Sequence, residues 1–355
     1  MRLRDLYFRG PSPVAALVPA CLVLLGFVAL PAGATVSWTP RGAYADREFT
    51  SLVSPPNYPC VIAFTALNNG GLGVSTDCGV QYANLLPTNA FAVMAKNENV
   101  GWVAAGSSGV LKTLDGGGSW FQVNAGLSPF RDARCIALHL SHPDSIYVGF
   151  SGDGVWAGGP GPDSTIVWHP MNTGLGNLFV RDLVRVRGGT YFLASTSVGI
   201  WRWEGGLWSL AAGGVVANTM VIDAADSSRV WAAGPSGVYR SYDAGKTFLL
   251  SSTGLPPGVA INDLCRRTDR PDVLYVGTES AGVYESLDFG DTWHPFGPPL
   301  PGENNVRAIL CVVETSKAGA PASVFAGTRR DGLFEAEYST PSTPQTWGRL
   351  KASYR

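Results

Sequence analysis

The chain has 355 residues, of which 44 are glycine, and only 15% are charged against about 25% in an average soluble domain. Its 45% hydrophobic and 11% aromatic content excludes an intrinsically disordered chain, and its glycines lack the three-residue period of collagen. With 26 basic and 27 acidic residues the net charge is −1, so no overall field attracts nucleic acid. This composition favours an all-β protein with many tight turns.

The first 34 residues have the pattern of a secretory signal peptide. Arg2, Arg4 and Arg9 precede an apolar run over residues 14–30, and small residues before Thr35 form a cleavage site. We predict Sec export to the periplasm, the cell surface or the extracellular medium, with residues 1–34 removed. Two alternatives stay open: an uncleaved membrane anchor, which would be the chain's sole membrane contact, and a lipoprotein signal around Cys21.

From residue 35 onward one short pattern recurs, a glycine followed by an aliphatic residue and usually by an aromatic one. Its copies begin at Gly71, Gly109, Gly154, Gly199, Gly237, Gly282 and Gly332. They lie 38 to 50 residues apart, which is the period of a four-stranded propeller blade. We therefore predict that residues 35–355 form a single domain, a seven-bladed β-propeller of four-stranded antiparallel blades.

The ring of blades must be closed by a strand from one end of the chain. Ser37 and Trp38 resemble the end of a repeat, and residues 35–42 could supply the outer strand of the seventh blade. Thr346 and Trp347 compete for the same place. The sequence leaves both options open.

A second element follows three of the repeats. Residues 113–120, 241–248 and 286–293 share Ser or Thr, Asp, Gly, Ser or Thr and an aromatic residue at fixed spacing, and residues 75–82 are a weaker copy. These segments resemble the Asp-box of bacterial neuraminidase-type repeats, which joins the third and fourth strands away from the ligand-binding face. The carboxylates can accept turn amides, so we predict a structural role for Asp77, Asp115, Asp243 and Asp288.

Blades three, four and seven lack this motif but keep an aromatic residue at its end. These residues are Trp168, Trp208 and Trp347. Their retention indicates that packing between blades is the constraint that the turn serves.

The inner strand of each blade begins with a recurring segment that carries charge. It reads Phe-Arg-Asp-Ala from residue 130, Val-Arg-Asp-Leu from 180, Ile-Asn-Asp-Leu from 261 and Val-Arg-Ala-Ile from 306. Because inner strands begin at one mouth of the central channel, we predict that six side chains meet there. They are Arg131, Arg181, Arg307, Asp132, Asp182 and Asp263. This group would bind a carboxylate, a sugar acid or an acidic protein loop; alternatively, its members pair between blades and hold the ring together.

Five cysteines follow the signal segment. Cys60 and Cys78 lie symmetrically about a turn near Asn69, and we predict a disulfide between them across an antiparallel hairpin. Cys135, Cys265 and Cys311 fall on inner strands as small apolar residues. No Cys-x-x-Cys pair occurs and the four histidines offer no three-ligand set, so we predict neither a metal site nor a cofactor.

Two classes of function are compatible with such a propeller, and the first is an enzyme. Sialidases and other glycosidases use Asp-box propellers. The Arg-Ile-Pro signature of sialidases is absent here, and no pair of Tyr and Glu can be placed at the channel mouth. Two acids such as Asp182 and Asp263 could still hydrolyse a glycoside at the appropriate separation.

The second class is a binding scaffold. Over residues 35–355 the repeats, the inner-strand segments and the Asp-boxes are similar to the single-propeller photosystem II assembly and stability factors. That resemblance implies a lumenal-side protein that holds photosystem polypeptides with arginines on one face, here Arg131, Arg181 and Arg307. The chain departs from that family in lacking a thylakoid-type signal. We predict an exported, monomeric, non-catalytic propeller that binds a protein or glycan partner, with a glycosidase as the alternative.

Overall fold

A computed structural model of the chain describes residues 35–41, 47–54, 62–66, 71–77, 81–86, 89–97, 99–129, 132–138, 145–161, 165–186, 191–312 and 323–339. These residues form 28 β-strands in seven four-stranded antiparallel sheets, which confirms the seven-bladed propeller. Across these ranges no helix is long and apolar enough to cross a membrane. The predicted signal segment, residues 1–34, lies outside the described part of the chain.

The strands follow one another blade by blade, apart from the first strand, β1 (Thr35–Arg41). Blade one contains β2 (Phe49–Val53), β3 (Ile62–Ala66), β4 (Gly71–Ser75) and β5 (Ala83–Leu86). Blade two contains β6 (Ala92–Ala95), β7 (Gly101–Ala104), β8 (Val110–Thr113) and β9 (Phe121–Gln122). Blade three contains β10 (Ala133–Leu138), β11 (Ile146–Phe150), β12 (Gly154–Pro160) and β13 (Ile166–Pro170).

The second half of the ring repeats this order. Blade four contains β14 (Val180–Arg185), β15 (Tyr191–Thr196), β16 (Gly199–Glu204) and β17 (Leu207–Gly213). Blade five contains β18 (Thr219–Ile222), β19 (Val230–Gly234), β20 (Gly237–Ser241) and β21 (Leu249–Leu250). Blade six contains β22 (Ile261–Arg266), β23 (Leu274–Thr278), β24 (Val283–Ser286) and β25 (His294–Pro295). Blade seven contains β26 (Val306–Val312), β27 (Ser323–Thr328), β28 (Leu333–Ser339) and β1.

The amino-terminal strand closes the ring. β1 pairs antiparallel with β28, with Trp38 opposite Ala336, so it is the outer strand of blade seven. The sequence left two options open for this strand, and the structure has the one in which residues 35–42 supply it. The competing Thr346 and Trp347 lie outside the described residues. Closure satisfies the backbone groups of β28 that would otherwise form an open sheet edge.

Glycines in the second strands let neighbouring blades approach closely. A Cβ added at Gly149 of β11 would lie 2.6 Å from Val180 at the start of the next inner strand. A Cβ at Gly327 of β27 would likewise lie 2.7 Å from the ring of Phe49. The first residue of an inner strand thus fills the space of the missing side chain.

Tryptophans of the outer strands also tie neighbouring blades together. The indole N–H groups of four of them donate to a carbonyl of the preceding blade over 2.5 to 3.0 Å. The pairs are Trp168 with Val123, Trp208 with Met171, Trp293 with Ser251 and Trp38 with Pro298. Blades three and four therefore keep the inter-blade contact that we expected. In blade seven Trp38 makes it, and Trp347 lies outside the described residues.

Candidate functional site

The hairpins that resemble Asp-boxes connect the third and fourth strands of blades two, five and six. In blade two, the Asp115 carboxylate accepts hydrogen bonds from the Thr113 hydroxyl at 2.8 Å, the Ser119 hydroxyl at 2.7 Å and the Ser119 N–H at 2.9 Å. These bonds, those from Ser119 foremost, lower the pKa of Asp115 to about 2. Asp243 and Asp288 make the same contacts in their blades. In blade one, Asp77 accepts the Ser75 hydroxyl and the Gln81 N–H.

The opposite end of the ring is the mouth at which all seven inner strands begin. Five of these strands contain a β-bulge directly after their first residue, and each bulge turns one side chain toward the channel. In blades two and five, Phe91 and Asn218 occupy the same position. Their N–H groups show this, because they donate to the carbonyls of Ala104 and Ala233, near the ends of the second strands of their blades. We call these seven residues the bulge ring. They are Thr50, Phe91, Arg134, Arg181, Asn218, Asn262 and Arg307.

The bulge ring surrounds the entrance of a cavity of about 460 Å³ to which every blade contributes. Aromatic side chains of Phe91 and Phe179 share its lining with three arginines and two asparagines. The mouth therefore combines apolar surface with positive charge and amide groups, a mixture suited to a polypeptide segment.

The bulge register changes which arginine of blade three belongs to this ring. The sequence aligned Phe-Arg-Asp-Ala at residue 130 with Val-Arg-Asp-Leu at residue 180. In the structure, the segment equivalent to Val180 and Arg181 begins at Ala133, so Arg134 is the third arginine of the mouth. The predicted Arg131 lies outside the described residues. The signal for the other alignment was present, since Ala-Arg-Cys-Ile also places an apolar residue three positions after the first.

Two of the three mouth arginines are paired with carboxylates. The Arg134 guanidinium lies 2.6 Å from the Asp132 carboxylate and stacks over Phe91, with 4.0 Å to the ring centroid. The Arg307 guanidinium lies 2.9 Å from the carboxylate of Glu48 in blade one. Arg181, which is exposed, reaches the Asn218 side-chain oxygen at 3.5 Å. Glu48, Phe91, Arg134 and the two asparagines were not among the predicted site residues.

Asp182 and Asp263 lie one residue past the bulge ring and contact the next blade. The Asp182 carboxylate accepts the Met220 N–H of blade five at 2.6 Å, and the Asp263 carboxylate accepts the Ile309 N–H of blade seven at 2.8 Å. Burial raises the pKa of Asp182 to about 7 and that of Asp263 to about 6. These two acids link inner strands of neighbouring blades, whereas Asp132 alone of the predicted aspartates pairs with a mouth arginine.

The described cysteines lie on inner strands, as predicted. Cys135, Cys265 and Cys311 are free thiols of β10, β22 and β26. The predicted partners Cys60 and Cys78 lie outside the described residues. Within the described ranges, no group of three or more His, Cys, Asp or Glu side chains is arranged to hold a metal ion.

Comparisons with known proteins relate the chain to other propellers by fold. No protein-family model and no curated protein matches it. YCF48 from Cyanidioschyzon merolae is 16% identical with a TM-score of 0.62, over 84% of this chain and 98% of that one. YCF48 bound to a D1 peptide is 18% identical with a TM-score of 0.59, over 86% of this chain and 97% of that one.

A third similar structure is that of an extracellular domain. The extracellular domain of the one-component system BT4673 from B. thetaiotaomicron is 15% identical with a TM-score of 0.64. The alignment covers 85% of this chain but only 40% of that one. At these identities the three similarities show a common fold.

Proposed function

We propose that the protein is an exported, non-catalytic scaffold whose channel mouth binds a protein partner. The observation that carries this proposal is the bulge ring, where seven blades present three arginines, two asparagines, a phenylalanine and a threonine around one cavity. Guanidinium and amide groups bind carboxylates and peptide backbone, and a concave entrance allows them to converge on one segment.

The comparisons support a polypeptide ligand over a glycan. A propeller of similar fold has been solved with a D1 peptide, and the sequence resembles photosystem II assembly factors. Export is supported by the signal-like residues 1–34 and by the extracellular location of the similar BT4673 domain.

We assign Asp182 and Asp263 to the structure of the ring and not to glycoside hydrolysis. A raised pKa is a common property of a general acid. However, both Asp263 oxygens accept backbone N–H groups, from Leu264 and Ile309, and Asp182 accepts that of Met220. A panel of chromogenic glycosides tests the enzyme alternative, and hydrolysis that Asp182→Asn abolishes would establish it.

The scaffold proposal is tested by removing the positive charge of the mouth. The variant Arg134→Gln, Arg181→Gln and Arg307→Gln should lose a specific partner that wild type captures from an envelope extract of its source cells. Arg267→Gln with Arg270→Gln is the control, because both residues follow the far end of β22 and form ion pairs with Asp269 and Asp272. Equal capture by the mouth variant and wild type would reject the mouth as the binding face.

A further inference from the structure

The residue just before each inner strand forms the outermost rim of the mouth. In four blades the N–H that follows the second strand donates to the carbonyl of this residue, at Asp132, Phe179, Ala260 and Asn305. In blades one, two and five, the rim residue is the residue two positions before the bulge-ring residue. They are Glu48, Asn89 and Val216.

Rim residues decide which mouth arginines are neutralised. In blade three, Asp132 pairs with Arg134 two residues later, and in blade one Glu48 pairs with Arg307 of the preceding blade. Both carboxylates stand at the rim position. Arg134 and Arg307 therefore each belong to an ion pair within the protein. A ligand carboxylate would have to compete with Asp132 or Glu48 for them.

Arg181 of blade four has no such partner in the described part of the chain. Its own rim residue is Phe179 and that of the following blade is Val216, so apolar side chains stand where an acid would reach it. Among the described residues, no carboxylate lies within 4 Å of this guanidinium, and its contact with Asn218 is long at 3.5 Å. Apart from this one long contact, Arg181 thus keeps its N–H donors and its charge for a ligand.

Exposed apolar residues precede this arginine in the chain and stand in the turn after β15, the strand that pairs with its own. Phe179 is 53% exposed, Val198 48% and Leu178 37%, although soluble proteins usually bury such side chains. The backbone around them is held in place: Gly152 and Gly154 of blade three donate to the Leu178 carbonyl, and Ser197 donates to that of Phe179. The surface is therefore formed before any ligand arrives, which lowers the entropy cost of binding.

We propose that Leu178, Phe179, Arg181, Val198 and Asn218, the blade-four sector, bind an extended segment of a protein partner in which Asp or Glu adjoins a large apolar side chain. This inference deepens the proposed function and rests on it. The guanidinium would bind the carboxylate bidentately, and the apolar side chain would cover Phe179 and Val198. The Asn218 side-chain amide donates one hydrogen bond to the Ile261 carbonyl at 2.8 Å, and its second N–H would bind the adjoining backbone. The segment should be acidic because a carboxylate complements the charge of Arg181. The other two mouth arginines already have carboxylate partners.

Binding of capped peptides by fluorescence anisotropy tests this sector. The probe is a labelled peptide, acetylated and amidated at its ends, in which one Glu directly precedes one Leu. Wild type should bind it, and replacing the Glu by Gln or the Leu by Ser should each weaken binding about tenfold, or about 1.4 kcal/mol. Arg181→Gln and Phe179→Ser should have similar effects. Arg134→Gln, which removes the same charge at an already paired site of the mouth, should weaken binding less than Arg181→Gln does. Arg267→Gln, which removes the charge of an ion-paired arginine away from the mouth, should change affinity less than about threefold.

Each contrary result has a defined meaning. Equal loss on Arg181→Gln and Arg134→Gln would overturn the sector and leave a mouth that acts as a whole. Binding only of an uncapped peptide would overturn the internal acid in favour of a terminal carboxylate. No binding of the capped probe at millimolar protein, while the triple arginine variant still loses the captured partner, would reject the sector but keep the scaffold. Melting curves that match wild type verify that each variant is folded.

Discussion

Two carboxyl groups in the channel wall show how surroundings set the charge of a residue. Asp182 and Asp263 are held against neighbouring blades, and burial raises their pKa values to about 7 and about 6. Backbone N–H donors oppose this effect without outweighing it, and the negative charge of Asp263 adds to the rise at Asp182. In an unfolded chain both groups would ionise near pH 4, so the folded protein holds protons that the unfolded chain has released.

The free energy of unfolding should therefore fall as pH rises from about 4 to about 7, as far as these two groups determine it. Between those values the native state binds more protons than the unfolded state, which gives a negative slope. Asp182→Asn keeps an acceptor for Met220 but does not titrate, so its urea-unfolding free energy should vary less over this range.

Asp243→Asn is the control for this pH series. Burial works against ionisation of Asp243, but hydrogen bonds from Thr247 and Ser241 outweigh it and hold its pKa at about 2. The ionised Asp243 carboxylate contributes to the unfolding free energy above pH 4, and this contribution is lost as pH falls toward 2. Its removal therefore leaves the slope of the unfolding free energy between pH 4 and 7 unchanged. An unaltered slope in Asp182→Asn would show that Asp182 is ionised throughout.

At the scale of the element, each Asp-box-like hairpin depends on a buried hydroxyl. In blade six, the Ser286 Oγ accepts the Gly290 N–H at 2.8 Å and donates to Asp288 at 2.7 Å, and Ser286 is fully buried. A buried N–H that loses its acceptor costs about 1–3 kcal/mol. Ser286→Ala should lower the unfolding free energy by that amount.

Urea denaturation measures this loss, with Ser280→Ala as the control. Ser280 is exposed in the preceding turn of the same blade, so its substitution should change stability by less than about 0.5 kcal/mol. Equal stability of the two variants would show that the hairpin does not rely on this hydroxyl.

The closing strand makes a second prediction at this scale. Trp38 is 8% exposed, packs edge-on against Phe296 at 5.9 Å between centroids and donates to Pro298 of blade six. Trp38→Ala should destabilise the protein by about 3–5 kcal/mol, measured by thermal and urea unfolding. Ser37→Ala, at an exposed position of the same strand, should be nearly neutral. A small effect at Trp38 would indicate that another segment closes the ring.

The blades were predictable from the sequence, but the register of their inner strands was not. The recurring glycine pattern and the retained tryptophans reveal the repeat, because every blade needs the same turn and the same packing. Arg131 and Arg134 have similar neighbours, and only the β-bulge after Ala133 shows that Arg134 joins the ring. Glu48 and Arg307 form an ion pair although they are far apart in the sequence, so no local sequence pattern predicts this pair.

At the scale of the whole molecule, the two faces of the ring have different composition. The net charge is −1, yet Arg134, Arg181 and Arg307 gather at the mouth, where Asp132 and Glu48 pair with two of them. The opposite face carries the hairpins of Asp115, Asp243 and Asp288, whose carboxylates are engaged by their own turns. Under the proposed function, a partner recognised by local charge and apolar contact would bind at the mouth, and salt should weaken that binding only moderately.

Site-specific photo-crosslinking tests the binding face most directly. A photoreactive phenylalanine analogue is placed at Phe179 of the mouth or at Tyr242 of a hairpin on the opposite face, two aromatic positions that are 53% and 51% exposed. The mouth scaffold predicts that irradiation in source cells joins a defined protein to position 179 and not to position 242. A specific adduct at position 242 with none at position 179 would contradict it.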